Sequence, residues 1–229
     1  MQQISMAPIV YAACVASLEV EACYRAAFDA IAPWQQRHVD RYHSPVQKRL
    51  TLAAALLLRH GLRRVGREAV LDAGITRNAH GKPYLNAHDV WFNTSQSGAW
   101  AICAVTGCEV GCDVERLAPV DIAASQLFFC TQEYAHLAAQ SDLAAQQELF
   151  FRYWTLKESF LKATGMGMAL PPSTCHIVLG ESIRVVQSAD ARQFSFCEFG
   201  DIPGYKCALC VAGSCEHASM EIVDVRELV

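Results

Sequence analysis

What this chain has little of narrows its function before any motif is read. Only 18% of its 229 residues are charged and the net charge is −4, so it lacks the basic excess that meets a phosphate backbone, which excludes general nucleic-acid binding. No apolar run reaches the length of a membrane span, the nearest being residues 50–58. No Lys or Arg precedes Arg25, whereas a secretion signal needs a positive n-region, so the apolar run at residues 9–18 is expected to be a first strand. A low-complexity linker and an internal sequence repeat are both missing, and any two halves must therefore share a tight interface. The cysteines are odd in number, eleven, and scattered through apolar stretches as small hydrophobes, so they are expected to be reduced thiols of a cytoplasmic protein. Cys207-x-x-Cys210 with Cys215 and His217 has metal-like elements, but residues 205–212 read as a buried strand on which positions three apart face opposite ways, which argues against zinc.

What is present is enough apolar material, 52% of residues, for one large domain or two small ones with substantial cores. A first strand leads to a helix over residues 19–31, ended by Pro33, and then to a polar segment at 34–43. Ser44-Pro45 is a preferred helix opening, and residues 46–64 continue as a central core helix with a possible break at Gly61. Residues 90–98 read as a strand running into a Ser-x-Ser-Gly turn whose backbone N–H groups and hydroxyls could hold a phosphate, with Lys82 adding a point charge. A buried strand at 100–105 follows. In the second half, helical segments are expected at 122–129 and 132–139, the latter capped by Thr131, then a long helix, then strands near 175–179, 183–187, 193–199 and 205–211. Each half runs helix first and strands after, which predicts an α+β fold of two similar halves packed side by side, divided as 1–110 and 111–229. The basic cluster Arg59, His60, Arg63, Arg64 and Arg67 fits either a solvated helix end or a contact with phosphate or an acidic partner.

The most informative stretch is residues 151–162, FRYWTLKESFLK, in which Trp154, Glu158 and Lys162 recur every four positions and so share one side of a helix, with Leu161 beside them. Upstream, Val110-Gly111-Cys112-Asp113-Val114-Glu115 alternates in the strand period and sets Asp113 and Glu115 on one face. Three carboxylates brought together repel one another unless a cation sits among them, and all-oxygen donors suit Mg²⁺, an ion that also binds phosphate oxygens. Each piece also has an ordinary reading. Glu158 and Lys162 could be an i,i+4 ion pair adding about 0.3–0.5 kcal/mol, and Asp113 and Glu115 could be the wet face of an edge strand.

Taken together and in this order, Gly-Cys-Asp-Val-Glu and Trp-Thr-Leu-Lys-Glu-Ser-Phe-Leu-Lys resemble the paired motifs of the Sfp-type 4'-phosphopantetheinyl transferases. The resemblance extends to Gly81-Lys82-Pro83, Phe92-Asn93-Thr94-Ser95, Phe128-Phe129 with Glu133-Tyr134, and Gly204-Tyr205-Lys206, and spans residues 31–212. It implies transfer of the 4'-phosphopantetheine arm of coenzyme A to a serine of an apo acyl, peptidyl or aryl carrier protein, with Mg²⁺ present and 3',5'-ADP released. By resemblance Asp113, Glu115 and Glu158 hold the metal. Lys162 is assigned to the pyrophosphate and Glu158 to the general base, with Glu115 its rival. Lys82, Ser95, Thr51 and Arg49 are expected to face the nucleotide phosphates, although Thr51 and Arg49 also read as ordinary helix-face residues. Where the family has His after the serine, this chain has Gln96, a neutral donor where the family contacts the 3'-phosphate of coenzyme A. A non-catalytic coenzyme A or carrier-binding module and an unrelated Mg²⁺-dependent phosphohydrolase are the alternative classes. The loop at 116–126 is the expected carrier surface, and a chain of this size is expected to act as a monomer.

Overall fold

The computed structural model describes residues 7–87 and 89–229. The chain opens with β1 (Ile9–Cys14), followed by α1 (Glu21–Asp29), α2 (Pro33–Asp40) and α3 (Pro45–Arg64). A short hairpin, β2 (Ile75–Arg77) and β3 (Pro83–Leu85), precedes a longer one, β4 (Trp91–Ser97) and β5 (Trp100–Thr106). Then come β6 (Val110–Arg116), α4 (Thr131–Ala138), α5 (Leu143–Thr164), β7 (His176–Val178), β8 (Arg184–Val186), β9 (Phe194–Phe199), β10 (Tyr205–Ala212) and β11 (Ser219–Ile222). The fold is α+β, as the alternating patterns predict. Among the described residues no helix is long and apolar enough to cross a membrane.

Two sheets form the centre. One has the order β11-β1-β5-β4, with β11 parallel to β1 and the other pairs antiparallel; the second is antiparallel in the order β6-β10-β9. Strand alternation sorts the side chains into layers. Tyr11, Ala13, Cys103 and Val105 face α3, whereas Val10, Ala12, Ile102 and Ala104 meet Val110, Cys112, Val114 and Leu209 of the other sheet. On the far side Phe160, Leu161 and Ala163 of α5 pack with Cys210 of β10. The order of layers is thus helix, sheet, sheet, helix. α3 buries Leu50, Leu52, Leu56, Leu57 and Leu62, each worth about 1.5–3 kcal/mol of apolar burial.

Several expectations need correction. The polar segment after Pro33 is itself a helix, because Pro33 fits its first position and the Gln35 side chain accepts from the Ala32 N–H at 3.0 Å; one proline both closes α1 and opens α2. Gly61 does not break α3. A Cβ there would stand 2.6 Å from Val105 Cγ2 and 2.9 Å from Tyr11 Cε2, so its missing side chain lets the helix lie close on β1 and β5. Cys130, not Thr131, precedes α4, and its N–H is held at 2.9 Å by Glu133 reaching back from the third helical position. The expected halves 1–110 and 111–229 also share elements. β6 begins at Val110, and β11 with the turn Val225–Leu228 returns to the first half's sheet and core.

Candidate active site

The edge strands β4 and β6 of the two sheets lie side by side and are joined by side chains. Asn93 Oδ1 accepts from the Cys112 N–H at 2.9 Å, Ser95 Oγ donates to Asp113 Oδ1 at 2.7 Å, and Ser97 Oγ donates to Glu115 Oε2 at 2.7 Å. Because both strands alternate with period two, Ser-x-Ser on one matches Asp-x-Glu on the other. This corrects the expected phosphate-binding turn. Residues 95–97 are strand, paired with β5 up to Ser97 opposite Trp100, and the reversal comes at Gly98, with φ +57°. The hydroxyls of Ser95 and Ser97 donate to the acids of β6, so the segment is a strand joined to β6 and not a free turn.

α5 lies across β6 and β10. Asp142 caps its start by accepting from the Ala145 N–H at 2.9 Å, and Gly165 ends it in the left-handed region at φ +72°. The approach to β6 is close enough that a Cβ on Gly111 would stand 2.0 Å from Ser159 O and 2.4 Å from Ala163 N. Glycine before the Asp-x-Glu pair is therefore what lets Lys162 reach the strand. Its Nζ donates to Asp113 Oδ1 at 2.6 Å, to Ser95 Oγ at 3.0 Å and to Cys112 O at 3.2 Å.

A cavity of about 760 Å³ opens at this junction, lined by residues of both halves. Its lining includes Asp113, Glu115, Trp154, Glu158, Leu161 and Lys162, together with Trp34, His38, Tyr42, Arg77 and His80, and with Thr51, Ser95 and Gln96. Trp154 is held edge-on by Phe128, ring centroids 5.3 Å apart, and stacks with Phe150. The expected side of α5, with Trp154, Glu158 and Lys162 in a row, does face one space.

Electrostatics single out Glu115, Glu158 and Lys162 within this lining. Burial pushes Glu115 above the usual carboxylate range, Asp113 adds to the rise, and the bond from Ser97 and the charge of Lys162 oppose it. Burial likewise raises Glu158, Lys162 opposes, and Asp113 and Glu115 push it further up. Burial alone would lower Lys162, but Asp113 and the other negative groups outweigh it, so the ammonium is held more firmly protonated than usual. Asp113 is almost fully buried, and while Oδ1 accepts from Ser95 and Lys162, Oδ2 is buried without a hydrogen-bond partner. Among the described residues no three His, Cys, Asp or Glu side chains stand close enough together to hold a metal ion. The donors nevertheless fit a hard cation: Asp113, Glu115 and Glu158 offer only carboxylate oxygens, Asp113 Oδ2 is buried without a hydrogen-bond partner, and burial together with the neighbouring acids raises Glu115 and Glu158.

The remaining predicted residues divide. Thr51 lines the cavity and its Oγ1 is buried without a partner. Gln96 lines it too, with Nε2 donating to Gln47 Oε1 at 3.1 Å. Lys82 borders the cavity, but its ammonium is spent on Glu109 at 2.7 Å and on the carbonyls of Val110 and Ala163, both at 3.1 Å, so it clamps the β2–β3 hairpin to β6 and α5 and keeps no donor for a phosphate. Arg49 does not line the cavity and pairs with Glu19 at 3.3 Å. The basic cluster after α3 is also engaged: Arg59 and Arg63 pair with Glu68, Arg64 with Glu221 and Arg67 with Asp89. Ser97 was missed as a partner of Glu115, although two matching period-two patterns were there to find it.

The sequence on both sides of this cavity matches known proteins. Residues 109–210 match the family described as 4'-phosphopantetheinyl transferase superfamily, and residues 19–108 match 4'-phosphopantetheinyl transferase, N-terminal. The chain is 29% identical over 202 residues to the 4'-phosphopantetheinyl transferase Sfp of Bacillus subtilis, covering 87% of this chain and 90% of that one. It is 33% identical over 154 residues to the 4'-phosphopantetheinyl transferase gsp of Aneurinibacillus migulanus (66% and 64%) and 35% identical over 140 residues to the 4'-phosphopantetheinyl transferase HetI of Nostoc sp. (57% and 57%). In the last two cases the match spans less than two thirds of the relative's length. With adjoining family matches on the two halves, and a charged cavity where those halves meet, this chain belongs to the Sfp-type 4'-phosphopantetheinyl transferases and is a transferase.

Proposed function

We propose that the protein transfers the 4'-phosphopantetheine arm of coenzyme A to a serine of an apo acyl, peptidyl or aryl carrier protein, uses Mg²⁺ and releases 3',5'-ADP. The observation that carries this reading is the buried, orphaned Asp113 Oδ2, on a carboxylate whose Oδ1 holds a firmly protonated Lys162 and whose charge raises Glu115 and Glu158. Asp113, Glu115 and Glu158 would hold Mg²⁺, which when bound supplies positive charge to the pyrophosphate oxygens. Lys162 keeps its proton and, from its anchor on Asp113 and Ser95, offers a fixed charge to the oxygen released as the pyrophosphate linkage breaks. Glu158 is the preferred general base, directly or through a water held beside it, and Glu115 is the rival; burial raises both in the metal-free protein, and Mg²⁺ when bound would lower them. Ser97 fixes Glu115 through its 2.7 Å hydrogen bond.

Thr51, Ser95 and Gln96 are proposed to face the nucleotide phosphates of coenzyme A. Thr51 has the strongest support, since a buried hydroxyl without a partner is costly unless a ligand supplies one. Lys82 is proposed to position α5 and β6 by its three bonds, and Arg49 is left out of the site. Carrier proteins are proposed to dock over residues 116–126, and the protein to act as a cytoplasmic monomer. The test is to incubate it with coenzyme A, Mg²⁺ and an apo carrier and to read the carrier's intact mass. A phosphopantetheine adduct is the expected result. Free phosphopantetheine would indicate a phosphohydrolase, and neither product a binding module.

A further inference from the structure

The cysteine group that the sequence sets apart is rearranged by the fold. Cys207 and Cys210 are buried in β10, but Cys215, in the segment between β10 and β11, lies beside Cys197 of β9 with the two sulfurs 3.1 Å apart. The Cys197 thiol donates to the Cys215 sulfur and also approaches the Cys215 carbonyl at 3.5 Å. Both side chains are half-buried, while Ser214, Glu216 and His217 around Cys215 are exposed, so a small reagent has a path to it. Neither sulfur lines the catalytic cavity.

We propose that Cys197 and Cys215 are a redox-modification site, which a low-molecular-weight disulfide such as oxidised glutathione converts into an intramolecular disulfide. The electronic setting agrees with the geometry. The hydrogen bond from Cys197 brings the Cys215 thiol down to about 7 against burial and the nearby Glu216, whereas burial pushes Cys112 and Cys207 up to about 12. In the first step the Cys215 thiolate attacks one sulfur of oxidised glutathione, the S–S bond breaks, and one glutathione thiolate leaves. Cys197 then loses its proton and attacks the Cys215 sulfur of the mixed disulfide, expelling the second glutathione. The two protein thiols give up two electrons and two protons, and one oxidised glutathione becomes two reduced ones. The new bond ties β9, an edge of one sheet, to the segment that enters β11, an edge of the other.

The experiment uses the full wild-type chain in graded ratios of oxidised to reduced glutathione, with an acid quench, alkylation of the remaining thiols and peptide mapping. The expected result is a cross-link between the Cys197 and Cys215 peptides with the buried thiols still alkylated after unfolding, and a thermal midpoint raised by about 5 °C on oxidation. Cys197→Ala should stop at a glutathione adduct on Cys215. In that variant the pH midpoint for Cys215 alkylation in the folded protein should rise from about 7, since the thiol donor is gone. Full alkylation of both thiols at the most oxidising ratio, a cross-link elsewhere, or an unchanged Cys215 midpoint in Cys197→Ala would each overturn the proposal. So would stoichiometric zinc retained on these thiols after dialysis.

Discussion

The two long helices, α3 and α5, do the same architectural work with opposite chemistry. Each lies on the outer face of one sheet, and each gains close approach from a glycine, Gly61 on the helix in the first half and Gly111 on the strand in the second. The buried side of α3 is apolar but for Thr51. α5 instead buries Lys157, Thr155 and Ser159, and turns Glu158 and Lys162 to the cavity. An apolar helix can slip or rotate with gradual loss, because hydrophobic contact is not directional. A helix anchored by charge has one position in which its polar groups are all satisfied. The first half thus provides a wall, while the second fixes Glu158 and Lys162 in register.

The largest contrast is expected at Lys157. Its ammonium is wholly buried and satisfied by Glu133 at 2.8 Å, by the Pro172 carbonyl at 2.8 Å and by the Cys175 carbonyl, while Glu133 also accepts from the N–H groups of Cys130 and Ile177. Lys157→Met leaves a carboxylate buried without its counter-charge and should cost about 3–5 kcal/mol in urea unfolding. Adding Glu133→Gln, which removes the charge but retains an acceptor, should return part of that loss. In α3 the corresponding change, Leu57→Met, conserves volume and should cost less than about 1.5 kcal/mol. Equal losses in the two helices would break the distinction.

The glycines give a finer test. Gly111→Ala drives a methyl into the backbone of α5, which cannot yield locally, and should destabilise by about 3 kcal/mol while displacing Lys162. Gly61→Ala meets only side-chain atoms of Val105 and Tyr11, and a helical alanine gains about 1 kcal/mol over glycine, so its net cost should be about 1 kcal/mol or less. Chemical unfolding of both variants decides this, and transfer assays should find activity lost only in Gly111→Ala.

Next comes Glu158→Gln, which preserves shape and removes a charge. Transfer to a carrier should fall about 10²-fold or more, equivalent to about 2.7 kcal/mol of barrier. Stability should move the other way. Glu158 is raised in the folded protein, so folding takes up protons between its unfolded and folded values; this contribution is most favourable at low pH and is lost as pH rises through the folded value. Glu68 and Asp224, each held at about 2 by arginine partners, act oppositely as pH falls, and subtracting the variant from the wild type cancels them. The difference should show the metal-free wild type losing stability relative to Glu158→Gln as pH climbs toward neutral, and Mg²⁺ should narrow the gap. A variant with near wild-type turnover at saturating Mg²⁺ would remove Glu158 from the chemistry.

How much of this was legible in the sequence follows from the range of the forces involved. The row Trp154, Glu158, Lys162 and the pair Asp113, Glu115 were readable because helix and strand periods are local geometry. The Ser44-Pro45 opening of α3 was readable for the same reason. What stayed hidden needed a partner distant in sequence. Lys82 looks like a free phosphate ligand until Glu109 and two carbonyls surround it, and the Ser-x-Ser segment looks like a turn until β5 pairs with it and β6 claims its hydroxyls. β11 was missed because a short polar strand becomes one only beside β1. Cys215 stood in a group with Cys207 and Cys210 that strand geometry argued against as a zinc site, and which partner its sulfur takes, Cys197 of another strand, needed the fold.

The smallest expected effect lies on the wall side of the cavity, at Gln96, where the chain departs from its family. Its Nε2 is bonded to Gln47 Oε1 on the exposed rim of α3, so the side chain is tethered and neutral, and breaking that bond costs little in water. If Ser95 and Gln96 face the 3'-phosphate of coenzyme A, Gln96→His replaces a neutral donor with a partly charged one; charge-assisted hydrogen bonds are worth roughly 1.5–3 kcal/mol against about 1 for neutral ones. After the loss of the Gln47 bond the net gain should be about 1 kcal/mol at best, a roughly fivefold tighter Kd by calorimetry. Since free imidazole titrates near 6.5 and a bound phosphate holds its proton somewhat longer, the gain should shrink as pH rises above about 7. Dephospho-coenzyme A, lacking the 3'-phosphate, should gain nothing. Equal improvement for both nucleotides would mean that the new imidazole stacks or packs against a part of the ligand they share, and would move the 3'-phosphate away from this rim toward the unpartnered hydroxyl of Thr51.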